Sequence, residues 1–265
     1  MTPRILDQSS KLKDVLYEIR GAALVEADRL EADGHRILKL NTGNPAIFGF
    51  EAPYQIVRDM IEAVPHAHGY SDSRGIMSAR RAVVSRYEEV PGFPTFDPDD
   101  VYLGNGVSEL ITMTMQALLD TGDEVLIPDN AYGPGKDFAA VELARYGISH
   151  AFYDPMDPED LARRISASTR LVWLEAPGSV TMEFPDLCEQ VRICRARGVT
   201  TALDNTWGAG LAFAPFDLLG DGSLGVDISA HALTKYPSGG GDVLMGSVMT
   251  RSAALHMKIK LTHMR

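Results

Sequence analysis

Hydrophobic and polar positions along the chain follow two periods. Apolar residues recur every three or four positions over 11–33, with a break near Gly21, and again over 53–64 and 74–89, which predicts amphipathic helices. A short apolar run at 37–40 predicts a strand, and Asn41-Thr42-Gly43-Asn44-Pro45 after it collects turn-forming residues. Beyond residue 100 the pattern alternates. Apolar runs at 101–103, 124–127, 149–153, 170–174, 199–203, 226–230 and 243–250 predict strands. Helical patterns at 107–119, 134–146, 157–165, 185–197 and 252–264 fall between and after them. Short, continuously apolar strands separated by amphipathic helices imply an α/β fold. The expected architecture is three layers, α/β/α, around a mostly parallel sheet covered on both faces. In such sheets ligands bind beyond the carboxyl ends of the strands, so chemistry is sought there.

Composition narrows the field. The chain has 265 residues, 45% hydrophobic and 23% charged, which is ordinary for a globular protein with one large core or two small ones. The net charge of −11 and the lack of a basic patch argue against a nucleic-acid partner. No uncharged apolar run reaches the length of a membrane span, and the polar start MTPRILDQSSKLKD is unlike a signal peptide. Cys188 and Cys194 lie six residues apart on different faces of one predicted helix, so they read as reduced thiols, and a cytoplasmic location follows. No clustered His/Cys set suggests a metal, and no Gly-x-Ser-x-Gly suggests a serine hydrolase. His66 and His68 read as surface loop residues.

Three segments sit where chemistry is expected. Gly104-Asn105-Gly106-Val107-Ser108-Glu109 leaves a strand and opens a helix, where free N–H groups favour an anion. It is neither a dinucleotide fingerprint nor a Walker loop, and alone it reads equally as a plain turn. Asp204, directly after 199–203, either faces the ligand crevice or caps a helix. Lys235, in Thr234-Lys235-Tyr236, is a solvated loop lysine or an amine buried beside the sheet end; burial would lower its pKa and make it nucleophilic. Taken together they match the needs of one cofactor, pyridoxal 5'-phosphate (PLP): a helix start for the phosphate, an acid for the pyridine nitrogen, an aromatic face and a lysine for the aldehyde. Gly106 to Ser108, Asp204, Tyr132 and Lys235 supply these.

That arrangement resembles PLP enzymes of fold type I, over nearly the whole chain. LKLNTGNPAIFGFEAP, GYSDSRGIMSARRAV and VYLGNGVSELITMTMQALLDTGDEVLIP resemble alanine-type class I aminotransferases. DNAYGPGKDFA, FYDPMD, TRLVWLEAPGSVTME, ALDNTW and ALTKYPSGGGDVLMGSV are instead similar to cystathionine β-lyases of the Cys/Met-metabolism family. The resemblance changes family near 124–130, as in a recombined chimera. It implies a segment at 1–50 and a PLP-binding large domain at 51–265.

The resemblance also implies site roles. Gly106, Val107 and Ser108 hold the phosphate, Tyr132 stacks on the ring, Asp204 pairs with the pyridine nitrogen, and Lys235 forms the Schiff base. Tyr70 matches a tyrosine that reaches the neighbouring subunit's phosphate, implying a homodimer or homotetramer, and Gly43 matches a substrate-loop glycine. Ser179 stands where an asparagine near the cofactor's O3' oxygen is common. Ala232 replaces a phosphate-binding serine, while Thr234 keeps a hydroxyl before the lysine. Gly239-Gly240-Gly241-Asp242 replaces the lyases' Gly-His-Ser-Asp. Arg74 and Arg80 read as a solvated helix face. Both families carry a C-terminal small domain with a carboxylate-binding arginine, for which no counterpart precedes Arg265. The expected activity is a carbon–sulfur β-lyase of methionine metabolism acting on an amino acid. The alternatives are an aminotransferase, or a PLP-binding scaffold with little turnover.

Overall fold

A computed structural model describes residues 21–38, 45–89, 95–179, 181–238 and 244–263. The chain divides into two compact units, Met1–Phe50 and Glu51–Arg265. The described part of the first contains helix α1 (Gly21–Ala32) and a 3-10 turn at Pro45–Phe48. Ile37 and Leu38 are not in a strand, so the strand expected at 37–40 is not formed at those two positions. Residues 11–20 of the first expected helix and Gly43 lie outside the described residues.

The second unit opens with helices α2 (Tyr54–Ala63) and α3 (Met77–Glu88). A seven-stranded sheet follows: β1 (Tyr102–Gly104), β2 (Glu124–Pro128), β3 (Ser149–Tyr153), β4 (Thr169–Glu175), β5 (Thr200–Asp204), β6 (Ile228–His231) and β7 (Gly246–Thr250). Their spatial order is β1-β7-β6-β5-β4-β2-β3. Only β7 runs against its neighbours, pairing antiparallel with β1 and β6. Parallel neighbours need a crossover, normally a helix. The described residues between β6 and β7 form turns instead, so the chain returns from the carboxyl edge in the opposite direction.

Helices α4 (Val107–Leu118), α5 (Gly133–Asp137, continuing as a π-helical Phe138–Leu143), α6 (Pro158–Arg164), α7 (Leu187–Ala196) and α8 (Ala253–His263) complete the unit. Strand side chains alternate between faces. Val125, Ile127, Leu171 and Trp173 accordingly pack with Leu110, Ile111 and Met115 of α4 on one side. Leu126, Val172 and Leu174 pack with Leu161 of α6 and Val191 and Cys194 of α7 on the other. This is the mostly parallel, three-layer large-domain fold expected from the sequence. Aspartates start the two outer helices: Asp157 accepts from the Glu159 N–H at 3.0 Å, and Asp186 from that of Glu189 at 2.9 Å. Cys188 and Cys194 are free, the first half-buried and the second buried.

Arg80 corrects the reading of α3 as a solvated face. It is buried, donating to the carbonyls of Gly75 and Pro98 and pairing with Asp99 at 2.9 Å and Asp72 at 3.3 Å. Arg74 joins the same two acids. The partners come from loops before α3 and before β1, which helical periodicity does not register. A buried guanidinium needs such a set of acceptors.

Candidate functional site

Two acids end adjacent strands at the carboxyl edge. Glu175 of β4 and Asp204 of β5 are register partners, and both are buried. The Thr206 N–H and hydroxyl both donate to Asp204 Oδ1, at 3.0 and 2.6 Å, and the Ala232 N–H donates to that hydroxyl at 2.9 Å. Burial raises the Asp204 pKa against these bonds. Burial, and then the neighbouring Asp204, push Glu175 up to about 7, although hydrogen bonds from Ser179 and Tyr132 pull the other way. Among the described residues neither carboxylate has a cationic partner. Two buried acids side by side without a cation favour their neutral forms, and positive charge brought beside them would stabilise the ionised ones. A protonated pyridine nitrogen would bring such charge.

Tyr132 follows β2 and precedes α5; its N–H donates to Glu175 Oε2 at 2.9 Å, and its ring is partly exposed. The Ser179 hydroxyl donates to Glu175 Oε1, and the Ser179 N–H donates to the Asn130 carbonyl at 3.2 Å. One acid thus links Tyr132, Ser179 and the strand beside Asp204. Sequence reasoning missed Glu175. Its signal was present in TRLVWLEAP, where an acid closes an apolar strand, the same feature that singled out Asp204.

The start of α4 is shaped by close backbone packing. Gly106 has φ +82°, and a Cβ on Gly246 of β7 would lie 2.6–2.8 Å from the backbone of Gly106 and Val107. The Asn105 N–H is taken by the Glu109 carboxylate at 2.6 Å, and the Gly106 N–H by the Gly104 carbonyl at 2.9 Å. The Val107 and Ser108 amides have no acceptor among the described residues, and free amides at a helix start favour an anion. Thr234 ties the following segment to the same corner. Its N–H and hydroxyl donate to the Met245 carbonyl, both at 3.0 Å, and its oxygen accepts the Met245 N–H at 2.9 Å.

Lys235 is placed one residue beyond that tie, past the carboxyl end of β6. It is exposed, which selects the solvated of the two readings open to it from the sequence. The turn after β6 carries it clear of the core. Tyr70 is fully exposed and joins none of these residues within the chain.

Fold and donor set define the class: a PLP-dependent enzyme of fold type I, with pyridoxal 5'-phosphate as cofactor. The Cys/Met metabolism PLP-dependent enzyme family matches residues 103–264, and the chain belongs to it. Likeness to both anticipated groups is found. An alanine aminotransferase of Mycobacterium bovis is 74% identical over 129 residues, 49% of this chain and 30% of that protein. A cystathionine beta-lyase of Bordetella avium is 34% identical over 161 residues, 61% of this chain and 39% of that protein. The chain therefore spans less than half the length of these relatives. The crystal structure of an aminotransferase from Escherichia coli superposes with a TM-score of 0.72 and 31% identity, covering 98% of this chain and 67% of that one. No described helix is long and apolar enough to cross a membrane, and no group of three potential metal ligands occurs among the described residues.

Proposed function

We propose that this chain carries the cofactor-holding residues of a carbon–sulfur β-lyase, an enzyme that expels a thiolate from the β-carbon of an amino acid. The observation that carries the reading is Asp204: a buried acid at a strand end, without a cation, inside the segment matched by the Cys/Met family. Tyr132, Ser179, Thr234 and Lys235 fall within the same segment.

Bound PLP supplies an electron sink that acidifies the α-C–H of an attached amino acid. Asp204 would hold a proton on the ring nitrogen through a charge-assisted hydrogen bond, whose positive partner would offset the burial that otherwise favours the neutral acid. The Val107 and Ser108 amides would hold the phosphate, with Gly106 keeping the turn free of a side chain beside it. Tyr132 supplies an aromatic face, and Ser179 and Thr234 supply hydroxyls at the rim. Lys235 would hold the aldehyde, and its Nζ is the group that would accept the α-proton of a bound amino acid. Overall, a thioether amino acid and water give a thiol, pyruvate and ammonium. A soluble homodimer, with Tyr70 serving the partner's phosphate, completes this reading.

Aminotransfer is the second reading, favoured by the 74% identity to an alanine aminotransferase. Spectra of the PLP-treated protein, before and after borohydride, with Lys235→Ala as control, test the anchor. A visible band that borohydride removes and the variant lacks is the expected result. Incubation with cystathionine then separates the reactions. Thiol and pyruvate in molar excess over protein support the lyase, whereas keto acid with pyridoxamine phosphate moves the assignment to aminotransferase. A band without any product leaves a PLP-binding protein without turnover.

A further inference from the structure

We propose that Glu175 is a positioning residue of the cofactor site, its single carboxyl fixing the Tyr132 and Ser179 segments to the strand beside Asp204. The inference rests on the reading of Tyr132 and Asp204 as cofactor ligands. It stands on geometry. One carboxylate oxygen accepts the Tyr132 N–H at 2.9 Å, and the other accepts the Ser179 hydroxyl. Tyr132 follows β2 and Ser179 follows β4, so one side chain bonds the segments that leave two adjacent strands, beside its register partner Asp204 at the end of β5.

The cost of this arrangement argues that it has a use. Glu175 is 3% exposed beside a second acid, without a cation among the described residues. Buried charge of this kind is destabilising unless its hydrogen bonds are complete, and an apolar residue would serve stability better. The ionisable groups around it are Asp204 on β5 and the Tyr153 phenol on β3. The Tyr153 hydroxyl already donates to the Trp173 carbonyl at 2.9 Å, so it is not the partner that explains Glu175. What remains are the two segments that place an aromatic ring and a hydroxyl at the site.

Three variants test this: Glu175→Gln, Glu175→Ala and Glu175→Asp. Glutamine keeps an oxygen for the Tyr132 N–H and an amide group for the Ser179 oxygen. Alanine removes both contacts, and aspartate keeps the charge but is one methylene short. PLP affinity, read by spectral titration of each folded variant, is expected to fall about tenfold or more for alanine and aspartate, the loss of a hydrogen bond to a charged group. Glutamine is expected to restore it to within about threefold, a residual below one hydrogen bond. In the apoprotein, the Tyr132 amide resonance is expected to move in the alanine variant and to stay near its wild-type position in the glutamine variant. The circular dichroism of the bound cofactor band is expected to weaken where the resonance moves. Wild-type affinity in both alanine and aspartate variants overturns the proposal, as does glutamine binding no better than aspartate. If alanine fails to fold, the glutamine–aspartate comparison decides. A wild-type protein that binds no PLP overturns the cofactor-site reading, and this inference falls with it. Wild-type binding that survives every substitution overturns the inference alone.

Discussion

At the scale of single residues, Asp204 and Glu175 set the electrostatics of the site. Asp204→Asn keeps the shape and removes the charge that a pyridinium needs. PLP affinity is expected to drop at least about tenfold, since a charge-assisted hydrogen bond is replaced by a neutral one. An affinity equal to wild type, measured by spectral titration, would sink the role given to Asp204. The pH dependence of apoprotein stability has a defined sign. Glu175 is raised from 4.5 to about 7, so its stabilising contribution is fully present below about pH 4.5 and is lost as pH rises through 7. The slope contributed by one such proton approaches about 1.4 kcal/mol per pH unit within that window. Glu175→Gln is expected to remove this loss, so denaturant midpoints of the variant fall less than wild type between pH 5 and pH 8. Parallel falls would contradict it. Asp204 was legible because an acid follows an apolar run, and Glu175 was equally legible by that criterion. What could not be read was their adjacency, since 29 positions separate two residues that the sheet makes register partners. The choice between an exposed and a buried Lys235 was also hidden, because it depends on where a turn leaves the sheet and not on the residues beside it.

Among elements, β7 and α4 show how backbone packing shapes the anion corner. The absence of a side chain on Gly246 lets β7 lie directly behind the first turn of α4. Gly246→Ala would force a Cβ into the Gly106 and Val107 backbone, and no flexible side chain is there to yield. The expected result is a lower denaturant midpoint together with a PLP affinity reduced about tenfold, as one phosphate amide moves out of line. Destabilisation with unchanged affinity would separate β7 from the phosphate site. Most elements were legible. The strands at 124–128, 149–153 and 169–175 and the helices around them follow from apolar runs, and Asp157 and Asp186 mark two helix starts. The antiparallel course of β7 was not, because strand direction is decided by the connection before it. Arg80 was misread for a related reason: its acceptors lie on loops distant in sequence from α3, and periodicity weighs only the helix itself.

For the whole molecule, the question is whether the site is complete in one chain. Tyr70 is fully exposed, and its matching role is to reach a neighbouring subunit's phosphate. Helix α2 has no buried residue, and Tyr54, Val57, Met60, Ile61 and Val64 along and just after it are exposed. A contiguous apolar surface of this kind marks a contact face in soluble proteins. The expectation is a homodimer in solution, detected as twice the chain mass by light scattering at micromolar concentration. Ile61→Glu places a charge on that face, where burial without a partner is unfavourable. It is expected to shift the mass toward the monomer. If the Tyr70 assignment holds, the same substitution also weakens PLP binding, although position 61 is not among the cofactor-holding residues. Tyr70→Phe should then weaken PLP binding while leaving the dimer intact. A monomeric wild type that binds PLP as tightly as the Tyr70→Phe variant would contradict both the shared site and the dimer. Loss of mass in Ile61→Glu with full retention of PLP affinity would keep the dimer and confine the cofactor site to a single chain.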